Sequence, residues 1–415
     1  MSDTGGRPGR GDGAFHHRDF RLFWAGSLLE SLALNMVAVA IGWQVYSITG
    51  DPFDLGLIGL AEFLPLPLLA LPAGHLADRL PRRALFAFAL GVNAAVSLGL
   101  LALSSSGPSS VWPYFALAFC NGVGAAIGAP AARSITPTLI PAETLPSAMA
   151  AWSTGWQSAI VAGPALGGLL FAVDPELAYA AAASLSVAAV ICVVAMREQY
   201  RDPSLPEPVS LQSLLAGVRL IRRTPVLLGA ISLDLVAVLL GGAVALAPVF
   251  AQDILHVGPV GLGLLRSAPA VGAIVAGAIL ARRPVARRAG PTLLVTVAGF
   301  GASMIVFGLS RAMWLSLVAL AAAGAFDMVS VVLRATILPL VTPDELRGRV
   351  NAVEMVFISA SNELGAFESG VAAALLGAVP AVVLGGAATL VVAFAWKRLF
   401  PSLARVDRLE ELRPA

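Results

Sequence analysis

The chain has 415 residues, of which 58% are hydrophobic and 13% are charged, with a formal net charge of +2. Soluble domains are about 45–50% apolar and about 25% charged, so this composition excludes a soluble protein and predicts a polytopic membrane protein. The near-neutral balance gives no reason to expect a nucleic-acid partner. Cys120 and Cys192 both lie in apolar segments, which excludes a disulfide framework. The polar start runs directly into an apolar segment, so no cleavable signal peptide is expected.

Twelve apolar segments have the length that crosses a bilayer, on a window of about 19 residues. The tightest connections between them are expected at Asp174-Pro175 and between Gly377 and Pro380. The fold class predicted from this pattern is an all-α protein with twelve transmembrane helices. The predicted spans are 22–46, 55–76, 84–103, 111–131, 149–171, 177–196, 226–250, 261–281, 291–309, 313–333, 350–376 and 379–396.

Positive charge is concentrated on one side of this arrangement. Of the 27 lysines and arginines, 25 lie in the terminal tails or in the even-numbered connections, and the exceptions are Arg266 and Arg311. Because positively charged loops stay in the cytoplasm, both termini are predicted to be cytoplasmic. The expected organisation is a cytoplasmic tail (1–21), a six-helix lobe (22–196), a cytoplasmic linker (197–225), a second six-helix lobe (226–396) and a cytoplasmic tail (397–415).

The linker and an internal repeat support two lobes. Segment 209–223 sets leucine, valine and isoleucine against three arginines, which predicts an amphipathic helix on the membrane surface. A solvated connector is the alternative. Segments 133–145 and 334–346 each follow the fourth span of their half and lead through an acidic turn into the fifth. Such a repeat is typical of a two-lobed transporter.

Three motifs resemble a known superfamily of transporters. The connection after span two reads Gly74-His-Leu-Ala-Asp78-Arg79-Leu-Pro-Arg82-Arg83, and span five contains Gly163-Pro164-Ala-Leu-Gly167-Gly168. The first motif resembles the signature of the major facilitator superfamily, although Pro81 stands where that family usually has glycine. The second resembles the helix-bend motif of its exporting antiporters. Segments 342–352 and 361–370 resemble the transmembrane secretion effector branch, which includes the enterobactin exporter.

The resemblance implies a transporter and not an enzyme, with no bound cofactor and no metal. It also implies that the charged connection latches the two lobes on the cytoplasmic side. The expected counterparts in the other lobe are Glu354 and the positive end of the span-eleven helix dipole. A positive-inside anchor without a gating role is the alternative.

Acidic residues inside the apolar spans are the most informative feature of the sequence. A charged side chain at the centre of a helix costs about 2.5–3.5 kcal/mol on insertion scales, so each acid must face water, pair with a cation or take up a proton. These acids outnumber Arg266, the one arginine assigned to a span. Some of them must therefore be protonated or hydrated during a working cycle. The candidates for proton coupling are Glu30, Glu62, Asp234, Asp327, Glu363 and Glu368.

Helical geometry narrows some of these assignments. Glu363 and Glu368 lie about 140° apart around span eleven, so one of them is expected to face the cavity, and the sequence leaves open which. Asp327 and Arg334 are seven residues apart on span ten and either form an ion pair or leave Asp327 to couple protons. Arg266 either lines the cavity or neutralises an acid of another span.

Polar and aromatic residues inside the spans predict a substrate cavity. Trp152 and Trp156 share a helix face, and packing between helices is the alternative role for them. A cavity of this composition suits a medium-sized amphipathic substrate with aromatic parts, which could also be anionic. The candidate lining residues are Asn35, Asn121, Trp152, Trp156, Gln157 and Arg266.

The leading hypothesis is a proton-coupled exporter that works by alternating access. No Gly-x-x-x-x-Gly-Lys-Ser/Thr loop is present, so the proton gradient and not ATP is the expected energy source. The expected substrate is a small molecule such as a siderophore, and a monomer in the bacterial inner membrane suffices. The alternatives are a broad multidrug exporter, an importer or lipid flippase of the same fold, and a membrane sensor that transports nothing.

Overall fold

The computed structural model describes residues 14–69, 80–107, 110–197, 211–285 and 287–412, and these residues form helices joined by short turns. Gly74, Asp78 and Arg79 of the signature motif lie outside the described residues. The long helices are α1 (Arg18–Thr49), α2 (Pro52–Phe63), α3 (Arg82–Ser105), α4 (Trp112–Leu139), α5 (Leu145–Val173), α6 (Pro175–Val194), α7 (Pro225–Gly241), α8 (Gly258–Arg282), α9 (Ala289–Leu309), α10 (Met313–Val341), α11 (Arg347–Leu376) and α12 (Ala378–Leu399).

Eleven helices among the described residues are long and apolar enough to cross a membrane. The eleventh long helix in chain order, α11, is not among them, because its acidic and polar residues lower its hydropathy. In that count α2 is extended to Leu69 and α7 to Ile254. The protein is therefore a multi-pass membrane protein, and its helices follow the predicted spans closely.

The two tight connections are set by local chemistry. Asp174 separates α5 from α6, and its carboxylate accepts a hydrogen bond of 2.7 Å from the backbone N–H of Glu176. Gly377 separates α11 from α12 with φ of 89°, a left-handed conformation that favours glycine. Both turns lie where the sequence predicts them.

One connection is less regular than predicted. Beyond α7 the chain continues through a 3₁₀ turn (Ala243–Leu246) and a π-helical turn (Phe250–Ile254) before α8 begins. π-Helical turns are rare and occur frequently at functional sites. The predicted single span 226–250 is thus a helix followed by an irregular segment.

Most helices pack on others of their own half, whereas α2 and α5 of the first half also pack extensively on α11 and α8 of the second. In the first lobe, α1–α6, apolar side chains of α1, α3, α4 and α6 form a buried cluster around Val45, Leu100 and Tyr179. In the second lobe, α7–α12, a cluster around Leu233 and Leu293 includes Leu403 from the C-terminal segment. The predicted tail 397–415 therefore begins as a folded part of the second lobe.

The two ends of the bundle can be told apart by the linker helix, Leu211–Arg223. It packs at the start of α11, where Gly217 lies so close to the Arg349 carbonyl that an added Cβ would stand 2.9 Å from it. Ile221 is buried against α7, α10 and α11, whereas Leu215 is 60% exposed. We call this the linker end and the opposite end the far end. The amphipathic helix predicted for this segment is present.

The closest contacts between the lobes lie towards the far end. On α5 and α8, the added Cβ of Gly168 would lie 2.3 Å from the Pro259 carbonyl, and that of Gly263 would lie 2.4 Å from the Pro164 carbonyl. On α2 and α11, the added Cβ of Gly370 would lie 2.7 Å from Gly56 Cα. Glycines therefore let the helices of the two lobes approach backbone to backbone.

Polar contacts complete the closure of the far end. The Tyr46 hydroxyl donates to the Asp253 carboxylate, and Gln252 Nε2 donates to the Trp43 carbonyl at 3.2 Å and to Ser47 Oγ at 3.1 Å. Beneath them lies a buried apolar cluster from both lobes. The two lobes are thus joined at this end by polar ties above an apolar layer.

Candidate functional site

Three charged side chains from different helices meet between the lobes. Glu62 on α2, Arg266 on α8 and Glu363 on α11 are half-buried, and Arg266 interacts electrostatically with both carboxylates. Glu363 Oε2 lies near α2, 3.5 Å from the position of a Cβ added to Gly59. The Asn121 amide of α4 donates to Glu62 Oε1 at 3.2 Å. We call Glu62, Arg266, Glu363 and Asn121 the central group.

Arg266 is held by backbone and not by a direct ion pair. Its guanidinium donates to the Ala38 carbonyl of α1 at 2.5 Å, and among the described residues no carboxylate lies within 4.0 Å of it. Gly42, one turn further along α1, lies against Arg266 and Pro248. The guanidinium therefore has donors left over for a further partner.

The structure separates Glu363 from Glu368. Glu363 lies on the side of α11 that contacts α2, together with Ala366 and Gly370. Glu368 is about 140° away around the helix and shares its side with Leu375, which is 78% exposed. Of the two alternatives left open by the sequence, the geometry places Glu363 with the central group.

A second charged cluster lies inside the second lobe. The Arg334 guanidinium is 3% exposed and lies 2.7 Å from Asp234 Oδ1 of α7 and 3.8 Å from Glu354 Oε1 of α11. The ion pair between Arg334 and Asp327, one of the two alternatives for Asp327, is not formed in this structure, because no contact within 4.0 Å joins them in the described part of the chain. Asp327 instead lines a small cavity with Asp234, Thr296 and Ser330.

The position of Arg334 also changes the number of arginines assigned to the membrane-spanning helices. The sequence assigns it to a connection, whereas the structure buries it within α10. Two arginines, Arg266 and Arg334, therefore lie among the acids inside the described helices, and Arg334 forms direct ion pairs. The signal available in the sequence was its spacing of seven residues from Asp327, which placed it on a helix but not beside its partners.

Glu30 lies inside the first lobe and away from Arg266. Its side chain is buried and accepts a hydrogen bond of 2.5 Å from the Asn93 amide of α3. Among the residues that the structure describes, Glu30 Oε2 and Asn93 Oδ1 have no hydrogen-bond partner. A buried carboxylate with one unsatisfied oxygen is a costly arrangement unless a proton or water completes it.

An aromatic groove opens between α1 and α5 nearer the linker end. Trp152 and Trp156 stack on each other with ring centroids 5.9 Å apart and planes at 16°. The groove is narrow and is lined by Trp24, Ser27, Leu28, Ser31, Trp152, Gly155 and Trp156. Sequence reasoning missed Trp24, Ser27 and Ser31. Their spacing of three and four residues, continued by Asn35 and Ala38, was the signal that could have identified a polar stripe on α1.

The other predicted cavity residues have structural contacts. Asn35 donates to the Ser31 carbonyl at 2.8 Å and packs against Gly163 of α5. Gln157 is half-buried on α5. In the span-five motif, Gly163 and Gly167 lie against α1, whereas Pro164 and Gly168 lie against α8. This motif therefore brings α5 close to both lobes.

In the described part of the gating motif, Arg83 makes contacts within its own lobe. Arg82 begins α3, and Arg83 Nε donates to the Val193 carbonyl at 3.0 Å, at the end of α6. Glu354, the expected partner from the second lobe, lies beside Arg334. The proposed latch between these residues stays a prediction.

Comparison with known proteins assigns the chain to a family. The family model described as transmembrane secretion effector matches residues 13–411. The chain belongs to this branch of the major facilitator superfamily. It is a transporter-family protein and not an enzyme.

Two related proteins match this chain in sequence over most of its length. The enterobactin exporter EntS of Citrobacter koseri is 28% identical over 383 residues, covering 88% of this chain and 86% of that protein. EntS of Shigella dysenteriae serotype 1 is 28% identical over 385 residues, with the same two shares, 88% and 86%. The resemblance of this chain to the secretion effector branch is therefore confirmed.

Solved structures show the same fold. A bacterial homolog of the human lysosomal transporter Spinster, inward-facing and unoccupied, matches with a TM-score of 0.72 at 13% identity, over 95% of this chain and 98% of that one. The nucleoside transporter NupG matches with a TM-score of 0.70 at 12% identity, over 92% of this chain and 99% of that one.

Proposed function

We propose that this secretion effector exports a medium-sized amphipathic small molecule, such as a siderophore, in exchange for protons across the bacterial inner membrane. The observation that carries the proposal is the central group, in which two carboxylates and one arginine from both lobes lie between them. The similarity to the enterobactin exporters supports this substrate class. In this proposal the chain spans the membrane twelve times, both termini are cytoplasmic, and a monomer suffices.

The charges of the central group favour proton coupling. Glu62, Glu363 and Arg266 together carry one net negative charge when all three are ionised, and one bound proton removes it. Each helix brings its charge from a different part of the chain, so rearranging the lobes changes the distances among them. Protonation and lobe movement are therefore linked through Coulomb interactions that strengthen in a water-poor interior.

The contacts between the lobes support an inward-facing state. The backbone approaches and the polar ties lie in the far half, while the aromatic groove opens in the half that contains the linker helix. With the linker end in the cytoplasm, a substrate enters the groove from inside. Opening of the far end then releases it outside.

The proton gradient is large enough for this work. One proton that crosses about 100 mV supplies about 2.3 kcal/mol, and a tenfold difference in proton concentration adds about 1.4 kcal/mol. Together these support a substrate gradient of several hundredfold per proton.

Everted membrane vesicles test the direction and the energy source. Vesicles that contain the protein are expected to accumulate enterobactin when respiration acidifies their interior, and a protonophore is expected to abolish the accumulation. Vesicles without the protein are the control. Accumulation that persists with the protonophore contradicts proton coupling, and release in place of accumulation indicates an importer.

The multidrug alternative is favoured by the aromatic groove, because stacked tryptophans also bind flat organic cations. Ethidium in the same vesicles distinguishes the two functions. Accumulation of ethidium alone supports a drug exporter, whereas accumulation of enterobactin alone supports a dedicated siderophore exporter. A sensor without transport activity accumulates neither.

A further inference from the structure

A small cavity inside the second lobe brings together polar side chains from α7, α9 and α10. Asp234 of α7, Thr296 of α9, and Asp327 and Ser330 of α10 line it, and the rest of its wall is apolar. Its free volume is about 10 Å³, which is close to the least that one water molecule needs. The cavity therefore holds one small ion or one water molecule and nothing larger.

Ser330 has an unused hydroxyl group in the wall of this cavity. Its side chain is 2% exposed, and its Oγ has no hydrogen-bond partner among the described residues. Serine hydroxyl groups inside helices can donate to the carbonyl one turn earlier, as Ser303 Oγ of α9 does to the Gly299 carbonyl at 2.8 Å. A buried hydroxyl group without a partner is costly, so a ligand that binds Ser330 Oγ removes this cost.

Thr296 offers the cavity an oxygen whose proton is already in use. Its Oγ1 donates to the Leu293 carbonyl at 2.8 Å. A hydroxyl oxygen keeps its two lone pairs when its proton is donated elsewhere, so Thr296 Oγ1 can accept a hydrogen bond or bind a cation. The cavity thus combines hydroxyl and carboxylate oxygens, which are the ligands that hard cations prefer.

The charged groups around the cavity carry an excess of negative charge. Arg334 lies 2.7 Å from Asp234 Oδ1 and 3.8 Å from Glu354 Oε1. Asp327 adds a third carboxylate, which interacts electrostatically with both Arg334 and Asp234. When all four groups are ionised, one guanidinium faces three carboxylates. Uncompensated charge in an apolar interior is costly, so a cation in the cavity stabilises this group.

We propose that this cavity binds one dehydrated sodium ion through the carboxylates of Asp234 and Asp327 and the hydroxyl oxygens of Thr296 and Ser330. The described part of the chain holds no group of three acidic, histidine or cysteine residues that could bind a metal ion by themselves, so the hydroxyl oxygens are part of the site. The ion ties α7, α9 and α10 together. This site goes beyond the proposed proton exchange and does not depend on it.

The size and the ligand number of the cavity select sodium. A dehydrated potassium ion is nearly as large as a water molecule, whereas a sodium ion is smaller and lets the oxygens close around it. A calcium ion takes about six to eight oxygen ligands, which is more than four side chains of this kind readily supply. We therefore expect sodium to bind better than either potassium or calcium.

Thermal unfolding of the full chain in lipid nanodiscs tests the site without any gradient. The salts are sodium, potassium, calcium and choline chloride at equal ionic strength, at an alkaline pH that favours ionised carboxylates. An ion that binds only the folded protein raises the unfolding temperature once its concentration exceeds its Kd. We expect a saturable rise with sodium and little change with the other three salts. Binding of radioactive sodium to the same sample, measured by scintillation proximity, gives the Kd directly.

Two variants separate ion binding from folding. Ser330→Ala is expected to raise the Kd for sodium roughly 10- to 100-fold, the effect of losing one polar contact to a charge. Its unfolding temperature in choline chloride should not fall, because the hydroxyl group that it removes has no partner in the described residues. Asp327→Asn is expected to abolish saturable sodium binding. Ser303→Ala is the control, since it removes a buried hydroxyl group that is bonded within its own helix, and it should bind sodium like the wild type.

Each outcome either supports the sodium site or overturns it. Equal unfolding temperatures in sodium, potassium and choline chloride would show that the cavity holds water only, and stabilisation by calcium without sodium would contradict the proposed ion. A Kd for sodium that is unchanged in either folded variant places the ion elsewhere and also overturns the site. Sodium binding that both variants weaken supports the site, whether or not everted vesicles show proton-driven export.

Discussion

The charge of the buried Arg334 guanidinium is compensated by a neighbouring carboxylate. It lies 2.7 Å from Asp234 and is 3% exposed, so removing either partner leaves an uncompensated charge in the lobe. Breaking a buried pair in this way costs about 3–5 kcal/mol. The pair therefore ties α7 to α10 only while both charges are present.

We expect Arg334→Gln to lower the free energy of unfolding by about 3–5 kcal/mol, and the double change with Asp234→Asn to recover part of that loss. Unfolding in detergent, followed by circular dichroism, measures both. The control is Arg347→Gln, which breaks a 2.6 Å pair with Asp344 at the exposed start of α11 and should cost about 0–1 kcal/mol. Equal losses at the two arginines would show that Arg334 is not a buried anchor.

We expect the carboxylates of Glu62, Glu363 and Glu368 to differ in function. Glu62→Gln and Glu363→Gln should abolish proton-driven accumulation in everted vesicles, because each removes an acid that shares Arg266. Substrate exchange without a gradient should persist in both variants, since exchange needs no net proton movement. Glu368→Gln is the matched control from the same helix and should accumulate substrate normally.

A different pattern of transport among these variants would change which acid is assigned to proton coupling. Loss of accumulation in Glu368→Gln with normal transport in Glu363→Gln would move the coupling acid to the other side of α11. Loss of exchange together with accumulation would indicate a folding or substrate-binding defect and would contradict a role limited to protons.

The close packing between α5 and α8 depends on glycines. Gly263 faces Pro164, and Gly168 faces Pro259, so the two backbones touch across the lobe boundary. The Ser267 hydroxyl of α8 adds a hydrogen bond of 2.7 Å to the Val161 carbonyl of α5. Such close helix contacts are typical of small residues in membrane proteins.

We expect Gly263→Ala to destabilise the far-end closure by about 1–3 kcal/mol, because its Cβ would overlap the Pro164 carbonyl. Spin labels on Asp51 and Leu375, at the far ends of the two lobes, should move apart. Gly277→Ala is the control in the same helix, where the nearest atom to an added Cβ is 3.9 Å away. It should leave the distance unchanged and raise helix stability slightly, by about 0.5–1 kcal/mol. An unchanged distance in Gly263→Ala would argue against close packing at this boundary.

For the molecule as a whole, alternating access requires the far end to open. Gln252 and Ser47 connect the lobes there, whereas Gln44 and Ser104 make a similar contact of 3.4 Å inside the first lobe. These two contacts form a matched pair for cross-linking. Cys120 and Cys192 are replaced first, so that no other thiol reacts.

Cross-linking Ser47→Cys to Gln252→Cys with a short reducible bis-thiol reagent should stop transport, and reduction should restore it. Cross-linking Gln44→Cys to Ser104→Cys should leave transport intact, because that contact does not cross the lobe boundary. Transport that continues through a quantitative Ser47–Gln252 cross-link would rule out movement of the lobes at the far end.

The sequence by itself determined the class of protein, the places where the helices lie and the asymmetry of basic residues. These features are local, because hydropathy along a stretch of chain decides whether a helix can be buried in lipid. The turns at Asp174 and Gly377 were also predictable, since each depends on one residue and its neighbours. The motifs at Gly74 and Gly163 further indicated the superfamily.

Only the tertiary structure decided which charges meet. The rotation of each helix and its contacts across the lobe boundary placed Glu363, and not Glu368, with Arg266, and they paired Arg334 with Asp234, not with Asp327. Those contacts form between residues far apart in the chain, and glycines that carry no chemistry of their own set their distances. A periodicity of 3.6 residues identifies the face of a helix, but packing alone selects what that face touches.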